Sequence, residues 1–379
     1  MYRRIVVKLG TNLLTGGSSR LDAPLMSALV SQVARLHEQG SEVLLVSSGA
    51  VAAGREVLGE LGVRIPSLDK TKISRLEVPY RQAMAAIGQG RLMREYQRMF
   101  AQANIPVAQA LITHKDIADR LGYLNIRNTL QALLAFRVIP ILNENDVVAV
   151  EELEGDVIGD NDTLCGLVSN IVDADLLVML GDVEGLYTAD PYIDPEAELI
   201  REVHDIETVQ ANTLSDRATL GTGGMEKKLS AAGLATVSGT PVVIASGHEV
   251  DVLIRITSGE SIGTWFPARI TKPESRQRWM LSATVSHAGL VIDQGATTAL
   301  LEHNRSLLPA GIKKVIGEFD RGEVVPIFSP DHERLAVGIS NYRAADVRRF
   351  VGLRSDQIGE VLGYEYGDEV VHRSNMVKV

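Results

Sequence analysis

The chain has 379 residues, of which 45% are hydrophobic and 23% charged, and its formal net charge is −10. That length predicts two domains, and the composition excludes a largely disordered chain. The acidic balance argues against a dedicated nucleic-acid binder, so a site for an anion has to be built locally from a few lysines and backbone N–H groups.

Six short apolar runs predict buried parallel strands, because a strand that is covered on both faces shows no alternation. They are Ile5–Leu9, Val43–Val46, Val107–Ile112, Val138–Leu142, Leu176–Leu180 and Val242–Ala245. Helical patterns lie between these runs; Asp22 is suited to cap one helix and Gly40 to end it. The alternation predicts an open, mostly parallel α/β sheet sandwiched by helices.

Polar residues follow four of these strands, and ligands of open α/β sheets bind beyond the carboxyl ends of strands. Lys8 lies in the first strand, just before Gly10, and a buried lysine is costly unless an anion meets it. The alternative is a lysine whose head reaches solvent along its own stem. After the second strand, Ser47, Ser48 and Gly49 precede a helix whose N-terminus suits a carboxylate or phosphate, or is simply capped.

Two acidic and amide clusters come next, "ILNENDVV" at 141–148 and "GDND" at 159–162. Such side chains are able to fix an α-amino group and a carboxylate, or to ligate Mg²⁺. The alternative for "GDND" is a turn and cap for the helix that carries Cys165, a residue expected to pack in the core. The histidines show no metal-binding spacing, so no zinc site is predicted.

The stretch "LGTGGMEKK" at 220–228 is glycine-rich and ends in two lysines, although it does not fit the P-loop pattern. Glycine N–H groups before a helix form an anion nest, and Lys227 and Lys228 add charge. The alternative is a flexible surface loop.

The pattern changes near residues 266–278, beyond which short glycine-punctuated runs predict a small β-rich domain. Residues 276–379 hold 13 basic and 13 acidic side chains, so this part is neutral. We expect one domain over 1–265 and a second over 276–379.

Cys165 is the single cysteine, which excludes an intrachain disulfide and fits a reducing compartment. The apolar run in "MYRRIVVKLG" is too short for a signal peptide, and no stretch approaches the ~20 apolar residues that cross a bilayer. We expect a cytoplasmic protein without a membrane partner.

In combination, six motifs resemble the glutamate 5-kinase family of the amino acid kinase superfamily. They are "VVKLGTNLLTGG", "SSGAVAAGRE", "ILNENDVV", "GDNDTL", "EGLYTADP" and "LGTGGMEKK", spread over residues 5–230, and the part after about 276 resembles a PUA domain. The resemblance implies the amino acid kinase fold with a PUA-like domain. It also implies phosphorylation of the γ-carboxylate of L-glutamate by ATP and Mg²⁺, giving L-glutamyl 5-phosphate for proline biosynthesis.

The resemblance also implies roles for particular residues. Lys8 and Lys228 would flank the transferring phosphoryl group, and Asp160 and Asp162 would orient the lysines and the amino acid. The residues expected to hold glutamate are Ser48, Gly49, Asn145, Asp146 and Asn161; those expected at the nucleotide are Lys8, Gly181, Asp182, Thr222, Gly223, Gly224, Met225, Glu226, Lys227 and Lys228. The family often has Thr or Ser where this chain has Gly181, and the segment 62–82 looks longer than the family's usual connection.

The physical chemistry fits this reading, because a carboxylate is already ionised at pH 7 and needs no general base. Phosphoryl transfer then depends mainly on positioning and charge neutralisation, which two lysines, Mg²⁺ and a helix N-terminus supply.

The resemblance further implies proline as a feedback inhibitor, a homo-oligomer (dimer or tetramer) and a glutamyl-phosphate reductase as a possible partner. Two alternatives stay open. One is another acid kinase of the superfamily, acting on aspartate, carbamate or N-acetylglutamate. The other is an RNA-binding or regulatory protein acting through the PUA-like domain, with a purely structural role for that domain as an equal alternative. The neutral charge of the domain weakens the RNA-binding interpretation, and Arg348 and Arg349 fit a solvated helix face better than a small basic patch.

Overall fold

The computed structural model describes residues 2–18, 20–63, 78–149, 161–191, 193–206, 209, 224–271, 280 and 287–378. Three predicted site residues, Asp160, Thr222 and Gly223, lie outside the described residues, as does most of the segment 62–82. The chain divides into two compact units, one formed by 1–115 with 129–270 and the other by 116–128 with 271–379.

The first unit contains a seven-stranded sheet in the order β3-β4-β2-β1-β5-β8-β9. Its strands are β1 (Arg4–Leu9), β2 (Glu42–Ser47), β3 (Val107–Ile112), β4 (Ile139–Glu144), β5 (Leu176–Gly181), β8 (Val242–Ser246) and β9 (Thr264–Phe266), with a separate hairpin of β6 (Leu186–Tyr187) and β7 (Leu199–Ile200). All neighbours in the large sheet are parallel except β8 and β9. The predicted mostly parallel sheet is confirmed, and each of the six predicted strands is present.

The helices of this part of the chain connect these strands, although residues 116–128, within the fifth and sixth helices, belong to the second unit. They are α1 (Thr11–Thr15), α2 (Ala23–Glu38), α3 (Ala50–Glu60), α4 (Val78–Ala101), α5 (His114–Ala118), α6 (Arg120–Ala135), α7 (Asn161–Ile171), α8 (Gly224–Val237) and α9 (Val252–Thr257). The Asp22 side chain accepts a hydrogen bond from the Leu25 N–H at 3.0 Å and so caps α2, as the sequence predicts. No helix in the described ranges combines the length and apolarity needed to cross a lipid bilayer.

The alternation of side chains along β1 decides where its lysine points. Ile5, Val7 and Leu9 belong to the large apolar cluster on one face of the sheet. Successive side chains of a strand point to opposite faces, so Val6 and Lys8 share the other face. That is the face on which Lys8 meets α7.

Helices α3 and α4 cross at two glycines. A Cβ at Gly54 would overlap the backbone carbonyl of Met84, and a Cβ at Gly88 would overlap that of Ala50. Only glycine permits so close an approach of two helix backbones. The crossing fixes the first turn of α3 against α4.

The second unit is built on a five-stranded sheet in the order β11-β10-β12-β13-β14. Its elements are β10 (Gly289–Ile292), α10 (Gln294–Leu301), β11 (Ile312–Ile316), β12 (Val324–Phe328), β13 (Arg334–Ile339), α11 (Ala344–Phe350), α12 (Ile358–Leu362) and β14 (Met376–Lys378). Tyr342 and Phe350 pack edge to face in its own core, with ring centroids 5.1 Å apart. The predicted small β-rich module is confirmed.

Candidate active site

The carboxyl ends of β4, β2, β1 and β5 lie side by side, because these strands are consecutive neighbours in the sheet. The polar segments that follow them therefore meet at one edge, as the sequence predicts. The backbone joins them directly: the Gly10 N–H donates to the Leu180 carbonyl at 3.2 Å, and the Ser48 N–H donates to the Leu9 carbonyl at 3.1 Å.

Lys8 and Asp162 form a buried ion pair at this edge. Lys8 Nζ lies 2.5 Å from Asp162 Oδ1, and the two residues are only 5% and 8% exposed. Asp162 occupies the first turn of α7, where the positive end of the helix dipole favours a carboxylate. The desolvation cost of burying the Lys8 ammonium is therefore offset by the Asp162 carboxylate, which lies in the first turn of a helix.

Lys228, in the first turns of α8, lies close enough to the same pair to respond to its charges. Burial lowers the pKa of the Lys228 ammonium, and the positive charge of Lys8 lowers it further, while Asp162 and Asp182 act in the opposite direction. Because the two ammonium groups share one carboxylate, an incoming anion would stabilise the charged form of both lysines.

Glycines border both lysines at the strand ends. A Cβ at Gly10 would stand 3.5 Å from Lys8 Nζ, and a Cβ at Gly181 would stand 3.6 Å from Lys228 Cε. The lysine heads thus lie over the ends of the neighbouring strands β1 and β5. The second distance is an ordinary van der Waals contact, so there is room for a Cβ at position 181.

A chain of buried polar side chains extends from the ion pair. Asn161 Nδ2 donates to Ser48 Oγ at 3.1 Å and to Asn143 Oδ1 at 2.9 Å. Asn143 Nδ2 in turn donates to Gln89 Oε1 at 2.8 Å. Within the described residues, Asn161 Oδ1 is buried and accepts no hydrogen bond. A buried acceptor without a donor is costly, and a ligand N–H would satisfy it.

A cavity of about 420 Å³ opens beside this network, within the size range of small-molecule sites. It is lined by Thr11, Asn12, Thr15, Gly17, Ser18, Ser48, Gly49, Ala50, Val51, Ala52, Arg55, Arg81, Asn143, Asp146 and Asn161. Four of the five residues predicted for glutamate are in this set.

Asn145 is the predicted substrate residue that does not line the cavity. Its N–H donates to the Ile112 carbonyl at 3.2 Å, and its own carbonyl accepts from the N–H groups of Val148 and Ala149 at 3.0 Å. It shapes the turn that carries Asp146.

Several lining residues were not predicted, and Asn143 is the clearest of them. The sequence places the strand end at Leu142, whereas β4 continues to Glu144, so Asn143 belongs to the strand and faces the site. Arg55 and Arg81 also line the cavity. Arg55 lies on α3 within the motif "SSGAVAAGRE", although no role was predicted for it, and Arg81 lies on α4 with no local signal that distinguishes it from a solvated helix residue.

The residues predicted for the nucleotide are partly described. Gly224, Met225, Glu226, Lys227 and Lys228 form the beginning of α8, and Lys228 Nζ lies 3.4 Å from the Gly224 carbonyl. Asp182 is exposed directly after β5. In the part of the chain that the structure covers, no three His, Cys, Asp or Glu side chains form a metal-binding group.

The family follows from comparison with known proteins. Residues 3–246 match the amino acid kinase family and residues 289–362 match the PUA domain. The fold and these matches define the class of protein, an amino acid kinase with a PUA domain. A solved structure of UMP kinase from Bacillus anthracis overlaps 71% of this chain and 97% of its own, with 16% identity and a TM-score of 0.45.

Full-length relatives narrow the class. The glutamate 5-kinase of Dehalococcoides mccartyi strain 195 is 47% identical over 100% of this chain and 99% of its own length. Those of Herpetosiphon aurantiacus and Deinococcus radiodurans are 49% and 45% identical and cover 100% and 99% of this chain, and 98% and 99% of their own lengths. The chain belongs to the glutamate 5-kinase family.

Proposed function

We propose that this chain transfers the γ-phosphoryl group of ATP to the γ-carboxylate of L-glutamate, giving L-glutamyl 5-phosphate for proline biosynthesis. The observation that carries this proposal is the Lys8–Asp162 pair with Lys228 beside it, next to a cavity of amino-acid size. The name shared by the full-length relatives supports the choice of substrate.

The chemistry requires two anions to approach each other. A γ-carboxylate oxygen attacks the γ-phosphorus as the bond to the bridging oxygen breaks and ADP leaves with the electron pair. The carboxylate is ionised at pH 7, so no general base is needed. Lys8 and Lys228 supply fixed positive charge where negative charge accumulates, which is the main contribution a protein makes to this reaction.

The cavity supplies groups that recognise the rest of the amino acid. Asp146 and the unoccupied Asn161 Oδ1 accept hydrogen bonds from the α-ammonium group, and Ser48 and the N–H groups at Gly49 and Ala50 donate to carboxylate oxygens. A carboxylate opposite the ammonium group favours a free amino acid over N-acetylglutamate, whose amide is neutral.

In this proposal the nucleotide lies on the side of the two lysines opposite the amino-acid cavity. The nucleotide is bordered by Gly181, Asp182 and the segment from Thr222 to Lys228. Asp160 joins Asp162 in orienting the lysines and the amino acid. Mg²⁺ accompanies the ATP phosphates, where it neutralises charge; the carboxylate oxygens of Asp162 and Asp182 are of the kind that suit it. Lys228 directs its side-chain nitrogen toward the transferring phosphoryl group in this proposal, and Asp162 holds Lys8 in place.

Further proposals concern the setting of the reaction. Residues 1–265 carry the activity and 276–379 form the appended domain. Proline competes with glutamate for the same cavity, the chain assembles into a dimer or tetramer in the cytoplasm, and a glutamyl-phosphate reductase consumes the product.

A hydroxylamine trap tests this function. Hydroxylamine converts an acyl phosphate into a stable hydroxamate, so hydroxamate should form when ATP, Mg²⁺ and L-glutamate are all present. The same assay is run with aspartate, carbamate and N-acetylglutamate. A larger kcat/KM with one of these acids than with glutamate would identify that acid as the substrate. The absence of hydroxamate with glutamate and with all three other acids would refute the proposal.

A further inference from the structure

The contacts proposed so far leave the α-carboxylate of the substrate without a charged partner. Among the described residues, the charged ones that line the cavity are Asp146, Arg55 and Arg81. Free glutamate at pH 7 carries one ammonium and two carboxylates. The proposed function directs the γ-carboxylate toward the lysines and the ammonium toward Asp146, so the α-carboxylate is matched by the two guanidinium groups.

Arg55 and Arg81 differ in whether the guanidinium group already has an interaction partner within the protein. Arg81 is 9% exposed and has a polar or electrostatic partner within the protein. Arg55 is half-buried, and among the described residues it makes no hydrogen bond or ion pair. Arg91 on α4, by contrast, pairs with Glu60 on α3 at 3.4 Å. Arg55 is therefore the cavity arginine that has its donors available.

The position of Arg55 on α3 places those donors near the helix N-terminus. Val51 and Arg55 are four residues apart and share one face of α3, and both line the cavity. Helical side chains lean toward the N-terminus of their helix, so Arg55 extends over the turn that contains Val51.

The start of α3 offers donors to the same region. The first intrahelical bond runs from the Ala53 N–H to the Gly49 carbonyl at 2.9 Å, which leaves the preceding N–H groups without helical partners. Gly49 has φ of +103°, a left-handed conformation that glycine adopts readily, and the chain enters the helix from it. A carboxylate between these N–H groups and a guanidinium would be bound by two independent sets of donors.

We infer that Arg55 binds the α-carboxylate of the substrate and so makes the enzyme select acids with a free α-carboxylate. This inference rests on the proposed function, because it takes the γ-carboxylate to be the one that faces Lys8 and Lys228. The planar guanidinium suits the two oxygens of a carboxylate, whereas a carboxamide offers one acceptor and no charge. Arg55 is a binding residue that acts on KM rather than on the reacting atoms.

The test compares L-glutamate with L-isoglutamine, which keeps the γ-carboxylate and the ammonium but has an amide in place of the α-carboxylate. Hydroxamate formation is measured for the wild type, Arg55→Gln and Arg55→Lys, with Arg91→Gln as a matched control outside the cavity. We expect Arg55→Gln to lower kcat/KM for glutamate by about 10- to 100-fold through KM, the usual worth of a charge-assisted hydrogen bond. Isoglutamine should be affected by less than about twofold, since it lacks the carboxylate that Arg55 binds.

Partial recovery in Arg55→Lys and an unchanged substrate preference in Arg91→Gln would support the inference. Equal losses for both substrates in Arg55→Gln, or no loss for glutamate, would overturn it. Calorimetric binding of both compounds without nucleotide separates this result from the proposed function. If glutamate binds with an Arg55-dependent preference but is not phosphorylated, the function fails and the binding role stands; if binding ignores Arg55, the inference fails.

Discussion

Lys8 and Lys228 carry the same charge in different surroundings. Lys8 has a carboxylate at 2.5 Å, whereas Lys228 is buried with a pKa below its usual value, chiefly because of desolvation. For Lys228 the folded state therefore binds its proton less tightly than the unfolded state does. Charged Lys228 costs stability at low pH, and this cost disappears as the pH rises from the folded pKa to the ordinary lysine value.

The lowered pKa of Lys228 predicts a pH effect on activity. The kcat/KM for glutamate, which reports ionisations of the free enzyme, should fall on the alkaline side with an apparent pKa below that of an ordinary lysine. Lys228→Arg should move this fall to higher pH, because a guanidinium stays protonated. The substrate's own amino group titrates identically in both enzymes. Superimposable pH profiles for the two enzymes would show that Lys228 does not carry the charge that matters.

At the scale of elements, the site depends on how α3 is held. Its first turn lines the cavity, and its contact with α4 is set by Gly54 and Gly88. Neither glycine touches the cavity, so their role is to bring two backbones together. A change there should reach the site by displacing the helix.

Gly88→Ala tests this dependence. The new methyl group would meet the Ala50 carbonyl in the first turn of α3, so we expect a loss of about 1–3 kcal/mol of stability and a raised KM for glutamate. Gly90→Ala is the control, since a Cβ there meets nothing within 4 Å and should add about 0.5–1 kcal/mol through helix propensity. Thermal unfolding and steady-state kinetics of the two variants measure both effects. Equal behaviour of the two variants would contradict the close crossing.

The elements themselves were predictable to a large extent. The apolar runs located six of the seven strands of the large sheet, because burial on both faces leaves a strong local signal, and only the short antiparallel β9 was missed. The polar network was harder, since Ser48, Gln89, Asn143 and Asn161 come from four separate elements and only the fold brings them together. Arg55 was missed for the same reason, and the roles of Lys8 and Lys228 came from the family resemblance.

At the scale of the whole molecule, the cavity lies in the first unit, and residues 276–379, whose charges balance, lie in the second. The described residues that line the cavity all lie in the first unit. In the second unit, Arg348 pairs with Glu318 at 2.7 Å and also donates to the Gly317 carbonyl, and Arg349 donates to the Val361 carbonyl. Both arginines are engaged within their own unit, which favours a structural role over RNA binding.

This arrangement predicts weak RNA binding. Phosphate contacts from lysine and arginine dominate nucleic-acid affinity and weaken steeply with salt. In a filter-binding assay with a mixed RNA pool, we expect little retention at low salt and little change as salt is raised. Strong retention that is lost with salt, and that falls in Arg348→Gln, would assign an RNA-binding role to this unit.

The most direct measurement of the central claim is a crystal structure of the enzyme with ADP, aluminium fluoride and L-glutamate. We expect Lys8 Nζ and Lys228 Nζ both to lie about 2.7–2.9 Å from atoms of the group that stands in for the transferring phosphoryl, on the side where the γ-carboxylate approaches. A complex in which either ammonium group stays beyond hydrogen-bond reach, or in which the glutamate side chain points away from both lysines, would contradict the account.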